Sequence, residues 1–227
     1  MKPISHKKII KKEHMKIIGF VGFKGSGKDT ASQPLIEQGY QRTSFASVLK
    51  DCCSAIFGWD RQMLEGTDVE SRLKREETDL WWAERLKRPG FSPRRAFQIF
   101  GTDIVRNHFD DNIWIYAVER QITQAGGDWV ITDCRFPNEL KLIKDLGGKV
   151  IRVKRGPEPE WYEHAKLANV KEDRDLDNQK AEDLMATVYK NVHISEWAWI
   201  GSPLIDHTIE NDSAAEELHL KVKKIVG

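Results

Sequence analysis

Short apolar runs alternate with amphipathic stretches along this chain, and glycines stand at many of the boundaries. Residues 16–23 (KIIGFVGF) are apolar and β-branched, the pattern of a strand buried on both faces of a parallel sheet. A helix is predicted over residues 28–38, closed by Gly39, and a second strand over residues 40–45. Residues 47–57 have helical spacing, with Val48, Leu49, Cys52 and Ile56 on one face. Residues 58–91 are polar and charged, with Trp81 and Trp82 among them, and read as a solvated helical insertion. Ser92 and Pro93 supply an N-cap and a first helical residue, and Gly101 is expected to end that helix. A further amphipathic stretch covers residues 102–125. Residues 129–132 (WVIT) form a third strand ending at Asp133, residues 138–146 a helix, and residues 149–153 (KVIRV) a fourth strand. Residues 155–191 are polar with little apolar periodicity, which suits a mobile insertion, with Trp197 and Trp199 packing its end. Residues 204–209 (LIDHTI) read as a fifth strand, and S-A-A-E at 213–216 as a capping box opening the last helix.

Strands alternating with helices predict an α/β fold, a five-stranded and mainly parallel sheet with helices on both faces. At 227 residues the chain fits a single domain over 15–227 with insertions near 58–91 and 155–191. The basic segment 1–14, before a second methionine at Met15, reads as a disordered extension or an upstream start, because no cleavage site for a signal peptide follows it. No apolar run approaches the roughly 18 residues of a membrane span.

Charge narrows the partners. Lys+Arg is 36 and Asp+Glu is 35, so the broad positive field of a non-specific nucleic-acid binder is missing. Cys52, Cys53 and Cys134 have neither a CxxC spacing nor histidine pairs beside them, which excludes a zinc site and points to reduced thiols in a cytosol.

The first run feeds into Gly22-Phe-Lys-Gly-Ser-Gly-Lys-Asp-Thr30, which fits G-x-x-x-x-G-K. Glycines let successive N–H groups turn inward around a phosphate, and the following helix adds the positive end of its dipole. Lys28 would reach the β- and γ-phosphates. Lys24, Gly25, Ser26, Gly27, Asp29 and Thr30 complete the candidate nucleotide loop, although the strict pattern places the hydroxyl directly after the lysine and here Asp29 intervenes. Such an acid must point away from the phosphates. Asp133 ends an apolar strand, where open α/β sheets bind ligands, and is a candidate for holding Mg²⁺; the competing reading is a helix-capping aspartate. Arg135 points into the same region. Arg94 and Arg95 open a helix and suit bidentate phosphate binding, while Arg152 and Arg155 flank the end of the fourth strand, Arg155 as a candidate to close over phosphates. Trp114 suits either a base-stacking role or the core. In H-I-S-E, His193 and Glu196 are candidates for substrate contact.

GFKGSGKDT, RRAFQIFGTDIVRNHFDDNIW, ITDCRFPNE, HISE and IENDSAAEEL, in that order, resemble the deoxynucleoside monophosphate kinases of tailed bacteriophages. The resemblance runs from Met15 to the C-terminus and is weaker in 58–91 and 155–191; RR-x-x-Q-x-x-GTD is its most specific piece. It implies a P-loop kinase fold with helical monophosphate-binding and lid insertions. It also implies transfer of the γ-phosphoryl of ATP to a deoxynucleoside monophosphate with Mg²⁺, held by Thr30 and Asp133. Gly25 through Thr30 would hold ATP, with Asn211 in the turn beside the adenine. Lys50, Arg94, Gly101, Thr102, Trp114, Asp133 and Arg135 match positions of the monophosphate site. Arg72 follows LEGTD, one position after the family's arginine. The resemblance further suggests a homodimer and a cytoplasmic location, that of the host if the chain is phage-encoded. The rivals are another small-molecule kinase, such as a phosphomevalonate or dephospho-coenzyme A kinase, and a nucleotide-binding switch acting on protein or DNA.

Overall fold

Alternation within one strand divides the core in two. The computed structural model describes residues 15–227, so the extension expected over residues 1–14 lies outside the described residues. In β1 (Ile17–Val21) every residue is buried. Successive side chains of a strand point to opposite faces. Ile17 and Val21 join one apolar cluster, while Ile18 and Phe20 join another. This is the both-faces burial that the continuous apolar run predicts.

The chain then runs through α1 (Lys28–Ile36), β2 (Gln41–Thr43), α2 (Ala46–Phe57), α3 (Arg61–Glu65), α4 (Val69–Glu76), α5 (Leu80–Arg85) and α6 (Pro93–Gln98). A π-helical segment (Ile99–Ile104) carries α6 into α7 (Val105–His108), followed by α8 (Ile113–Ala125), β3 (Trp129–Cys134), α9 (Pro137–Asp145) and β4 (Lys149–Lys154). Next come α10 (Tyr162–Ala168), α11 (Leu176–Thr187), a 3₁₀ turn (Ile194–Glu196), β5 (His207–Glu210) and α12 (Ala215–Val226). The sheet order is β2-β3-β1-β4-β5, and every pair is parallel.

Apolar residues of α1 and α12 (Leu35, Leu218, Val222) cover one face; those of α8, α9, α10 and α11 (Val118, Ile143, Ala165, Met185) cover the other. The chain leaves β1 toward β3 and β2 on one side and reaches β4 and β5 on the other, so a topological switch point lies between β1 and β3. The segments after these two strands therefore flank the crevice where such sheets bind ligands. Gly19 pairs with Ile131 but Val21 pairs with Cys134, so β3 carries an extra residue just before the crevice. A bulge there re-aims the side chains near the strand end, Asp133 among them.

Several expectations need correction. Gly101 does not end a helix, because it lies within the π-helical segment, and a Cβ on it would stand 2.7 Å from Leu49 Cδ2. The absent side chain serves close packing rather than termination. The buried face of α2 is Leu49, Lys50, Cys53 and Phe57, with Cys52 and Ile56 exposed, one position away from the face read by periodicity. The insertion over 58–91 is not merely solvated. Leu64 and Phe91 are buried with Phe57 in a third apolar cluster, and Trp82 packs against it, while Trp81 remains exposed. Within 155–191, Ala165, Ala168, Ala181 and Met185 of the paired helices α10 and α11 sit in the main core. Small residues make this packing possible, and they carry almost no apolar periodicity. Trp199 is fully buried at the end of that segment, as expected. The last strand starts at His207, after a turn holding Leu204 and Ile205 against the core. The capping box at 213–216 does not form: the N-cap of α12 is Ala214, without a side-chain cap.

Candidate nucleotide and phosphate site

The loop from Gly22 to Gly27 turns through backbone conformations that side chains resist. Gly22 has φ +146°, and a Cβ there would stand 2.4 Å from the Val153 carbonyl. Gly27, the residue before α1, has φ +99° and would collide with Asn211 Nδ2 at 2.3 Å. Both positions require glycine for conformation and for space. Asn211 closes this contact: its Nδ2 donates to the Ser26 carbonyl at 2.8 Å, and its own amide donates to the Lys154 carbonyl at 2.7 Å. The turn after β5 thus bolts the loop to the sheet edge. Gly25 is exposed with φ +79°, and Ser26 Oγ is buried without a hydrogen-bond partner among the described residues.

Lys28 donates to the carbonyls of Gly22 (2.8 Å) and Phe23 (2.9 Å), which folds it across the mouth of the loop. Burial, followed by the nearby positive charge of Arg135, lowers its pKa to about 8. Asp29 turns outward to Arg42 at 2.6 Å, and both are largely exposed. The acid thus points away, as the loop requires. Thr30 is exposed in the first turn of α1. Lys24 reaches Glu76 of α4 at 3.3 Å.

Beyond the loop lies a cavity of about 210 Å³ whose lining includes Lys50, Arg75, Arg94, Arg106 and Arg135, with Asp133 and Glu139 as its acids. Arg135 Nη1 donates to Glu196 at 2.6 Å and to the Ser195 carbonyl at 3.3 Å, and Arg94 stands 3.8 Å from the same carboxylate. Burial works against ionisation of Glu196, but Arg135, Arg94 and Lys28 outweigh it and hold the carboxyl below its usual range. Lys50 is buried and donates to Glu65 at 2.6 Å. Gly101, Thr102 and Trp114 line the same cavity, and the Trp114 indole N–H is held by the Gly101 carbonyl at 2.9 Å. Trp114 is therefore both a core residue and a wall of the cavity.

Asp133 accepts from the amides of Phe45 (2.8 Å) and Ala46 (2.9 Å) at the start of α2. The helix-capping reading is realised, and both carboxylate oxygens are in use. Among the described residues, no group of three or more His, Cys, Asp or Glu side chains gathers for a metal. A cation here fits only as Mg²⁺ usually binds, through phosphate oxygens and water with one or two protein oxygens.

Arg72 is absent from the cavity lining. Asp68 and Ser71 form a capping box that fixes the start of α4. Arg72 then bends back onto the carbonyls of Gly66 and Thr67, both at 3.0 Å. Helical side chains tilt toward the N-terminus, so an arginine in the first turn is drawn to the loop. Arg75, one turn on, faces the cavity instead. Burial and then the neighbouring Arg94 lower its pKa; its Nη1 donates to the Leu64 (3.4 Å) and Glu65 (3.3 Å) carbonyls, and its Nε is buried without a partner among the described residues. Arg155 is exposed, and Arg152 is committed to Glu158 at 2.5 Å and Tyr162 at 2.8 Å. Sequence reasoning missed Arg75, Arg106 and Glu139. Only Glu139 carried a signal, since Pro137 and Glu139 occupy the first and third positions of a helix start.

The family model described as "Deoxynucleotide monophosphate kinase" matches residues 62–168. A protein of Acanthamoeba polyphaga mimivirus that carries the family's name is 33% identical over 154 residues, covering 62% of this chain and 75% of that protein. The deoxynucleoside-5'-monophosphate kinase of Escherichia phage T5 is 27% identical over 180 residues, covering 57% of this chain and 72% of that one. Among solved structures, a dephospho-CoA kinase from Campylobacter jejuni aligns with a TM-score of 0.45 at 14% identity, over 93% of this chain and 96% of that one. That likeness is too loose to carry an argument. The sequence matches are decisive: this chain belongs to the deoxynucleotide monophosphate kinases.

Proposed function

We infer that the chain transfers the γ-phosphoryl group of ATP to a deoxynucleoside monophosphate, giving a deoxynucleoside diphosphate and ADP. The observation that supports this reading is the meeting of a glycine loop and an arginine-lined cavity at one sheet edge. The glycine loop lies on one side of the switch point and the arginine-lined cavity on the other, with Lys28 and Arg135 close enough to perturb each other.

The loop from Gly22 to Thr30 holds the triphosphate, with Lys28 leaving the loop carbonyls for the β- and γ-phosphates. Arg75, Arg94 and Arg135 receive the acceptor phosphate, and Lys50, Gly101, Thr102 and Trp114 shape the rest of its pocket. Arg72 is left out, since it does not line the cavity and both arms of its guanidinium donate to loop carbonyls. Glu196 orients Arg94 and Arg135. An oxygen of the monophosphate attacks the γ-phosphorus, the bond to the β–γ bridging oxygen breaks, and ADP leaves with that electron pair. The acceptor is already an oxyanion, so no strong general base is needed. Thr30 and, through water, Asp133 would hold Mg²⁺, which when bound neutralises charge on the phosphate oxygens. The insertion over 58–91 would close over the site to exclude water, and Lys24–Glu76 already links it to the loop. The helices of 155–191, packed into the main core, would stay in place.

Release of ADP from ATP, measured with a panel of acceptors, tests the reading. Stimulation by deoxynucleoside monophosphates is expected. Turnover only with dephospho-coenzyme A or phosphomevalonate, or only with DNA or protein, would overturn it.

A further inference from the structure

The Arg106–Glu139 ion pair forms part of the cavity wall and has no role in the transfer as drawn above. Both side chains are nearly inaccessible, at 5% and 3% exposure. Arg106 Nη2 donates to Glu139 Oε1, and its guanidinium lies 4.2 Å from the centre of the Phe136 ring. Arg106 Nη1 lies 3.5 Å from Asp111 and has no hydrogen-bond partner among the described residues. The other oxygen of Glu139, Oε2, accepts from the amides of Arg135 (2.7 Å) and Phe136 (3.1 Å).

The segment that carries Arg135 is thus pinned at both ends. Asp133 ties it to the start of α2, and Glu139 ties its next amides to the start of α9. Burying a carboxylate is costly unless it is paired and hydrogen-bonded. Burial, the largest influence, pushes the Glu139 carboxyl up to about 7; Arg106 is the positive side chain that opposes this, whereas Asp133 adds to it. The π-helical segment puts Arg106 in place. A π turn inserts about one residue into an α-helix, and its removal would rotate everything beyond it by about 100°. In α7 that rotation would turn Arg106 away from α9.

We propose that Arg106 is a positioning residue for phosphoryl transfer, acting through Glu139 to fix the backbone at Arg135 and so the guanidinium that meets the acceptor phosphate. The proposal rests on the reading that Arg135 faces that phosphate. Arg106 itself need not touch substrate.

The test compares the full-length wild type with Arg106→Met, Arg106→Lys and the double variant Arg106→Met/Glu139→Gln. For Arg106→Met, kcat should fall about tenfold or more while KM for ATP changes less than twofold. The double variant should recover at least threefold of that loss, because a neutral glutamine oxygen can accept the Arg135 amide without leaving a buried charge unpaired. Unchanged kcat in Arg106→Met would overturn the proposal. So would an ATP KM that worsens in proportion to kcat, or a double variant no better than the single one. If Arg106→Met does not fold, Arg106→Lys decides through hydrogen exchange. Lower kcat with faster exchange at the Arg135 and Phe136 amides supports the role, and no change in either refutes it. A wild type that does not phosphorylate deoxynucleoside monophosphates would instead sink the functional reading itself.

Discussion

Replacing Arg94 by methionine separates the two halves of the site. Arg94 stands 3.8 Å from Glu196 with 29% of its side chain exposed, so its ion pair adds little to stability. Methionine keeps most of the stem's packing, and the melting temperature should move by no more than the equivalent of about 0.5 kcal/mol. A hydrogen bond between an arginine and a charged phosphate is worth about 1.5–3 kcal/mol. At 1.4 kcal/mol per tenfold, that predicts a loss of about 10- to 150-fold in kcat/KM for the monophosphate. The lower half of this range is expected, for two reasons. Arg75 and Arg135 remain in the cavity, and removing Arg94 relieves the repulsion that now disfavours the charge on Arg75. Among the described residues Arg94 pairs with Glu196 and forms no hydrogen bond or ion pair with the loop, so KM for ATP should stay within about twofold. The assay is steady-state ADP release, varying each substrate at saturation of the other. Equal losses for both substrates, or an unchanged monophosphate kcat/KM, would refute the division of labour drawn between loop and cavity.

Three further outcomes are expected. Asn211→Ala removes the donor to the Ser26 carbonyl, a loss of about 1–3 kcal/mol if that carbonyl stays dry, and calorimetry should find ATP binding weakened about tenfold; an unaltered Kd would mean that Asn211 does not hold the loop. Because the pKa of Lys28 is lowered to about 8 in the free enzyme, its charge is lost as pH rises through that value. Then kcat/KM for ATP should fall on the alkaline side near pH 8, whereas kcat, which reports the phosphate-bound lysine, should hold to higher pH; a flat kcat/KM to pH 9.5 would contradict this. Native alkylation followed by mass spectrometry should label Cys52 first, since Cys134 is buried and burial, then Cys52, pushes the Cys53 thiol up to about 12; equal labelling of Cys53 would show that α2 opens readily.

The parts of the molecule that repeat a local pattern were legible in the sequence. β1 reads as a buried strand because every residue in it is apolar or glycine, and the loop reads as a phosphate cradle because glycines stand where the backbone turns left-handed. Asp29 was legible as an oddity, and Arg42 resolves it from β2. What stayed hidden depends on geometry between elements. Arg72 and Arg75 are equivalent by composition, and only the helix start fixed by Asp68 and Ser71 decides which one reaches the cavity. Gly101 has the signature of a helix end, yet the chain continues through it as a π turn, held by the Leu49 packing and the Trp114 hydrogen bond. The helices α10 and α11 pack through alanines, whose small burial leaves hardly any trace in a hydrophobic pattern.

The claim that one sheet edge joins a triphosphate loop to a monophosphate cavity is tested most directly with a bisubstrate analogue, adenosine and a deoxynucleoside linked through five phosphates. Such an analogue should compete with both ATP and the monophosphate, and Lys28→Ala and Arg94→Met should each weaken its binding at least tenfold. Competition against ATP alone, with binding indifferent to Arg94, would contradict the claim.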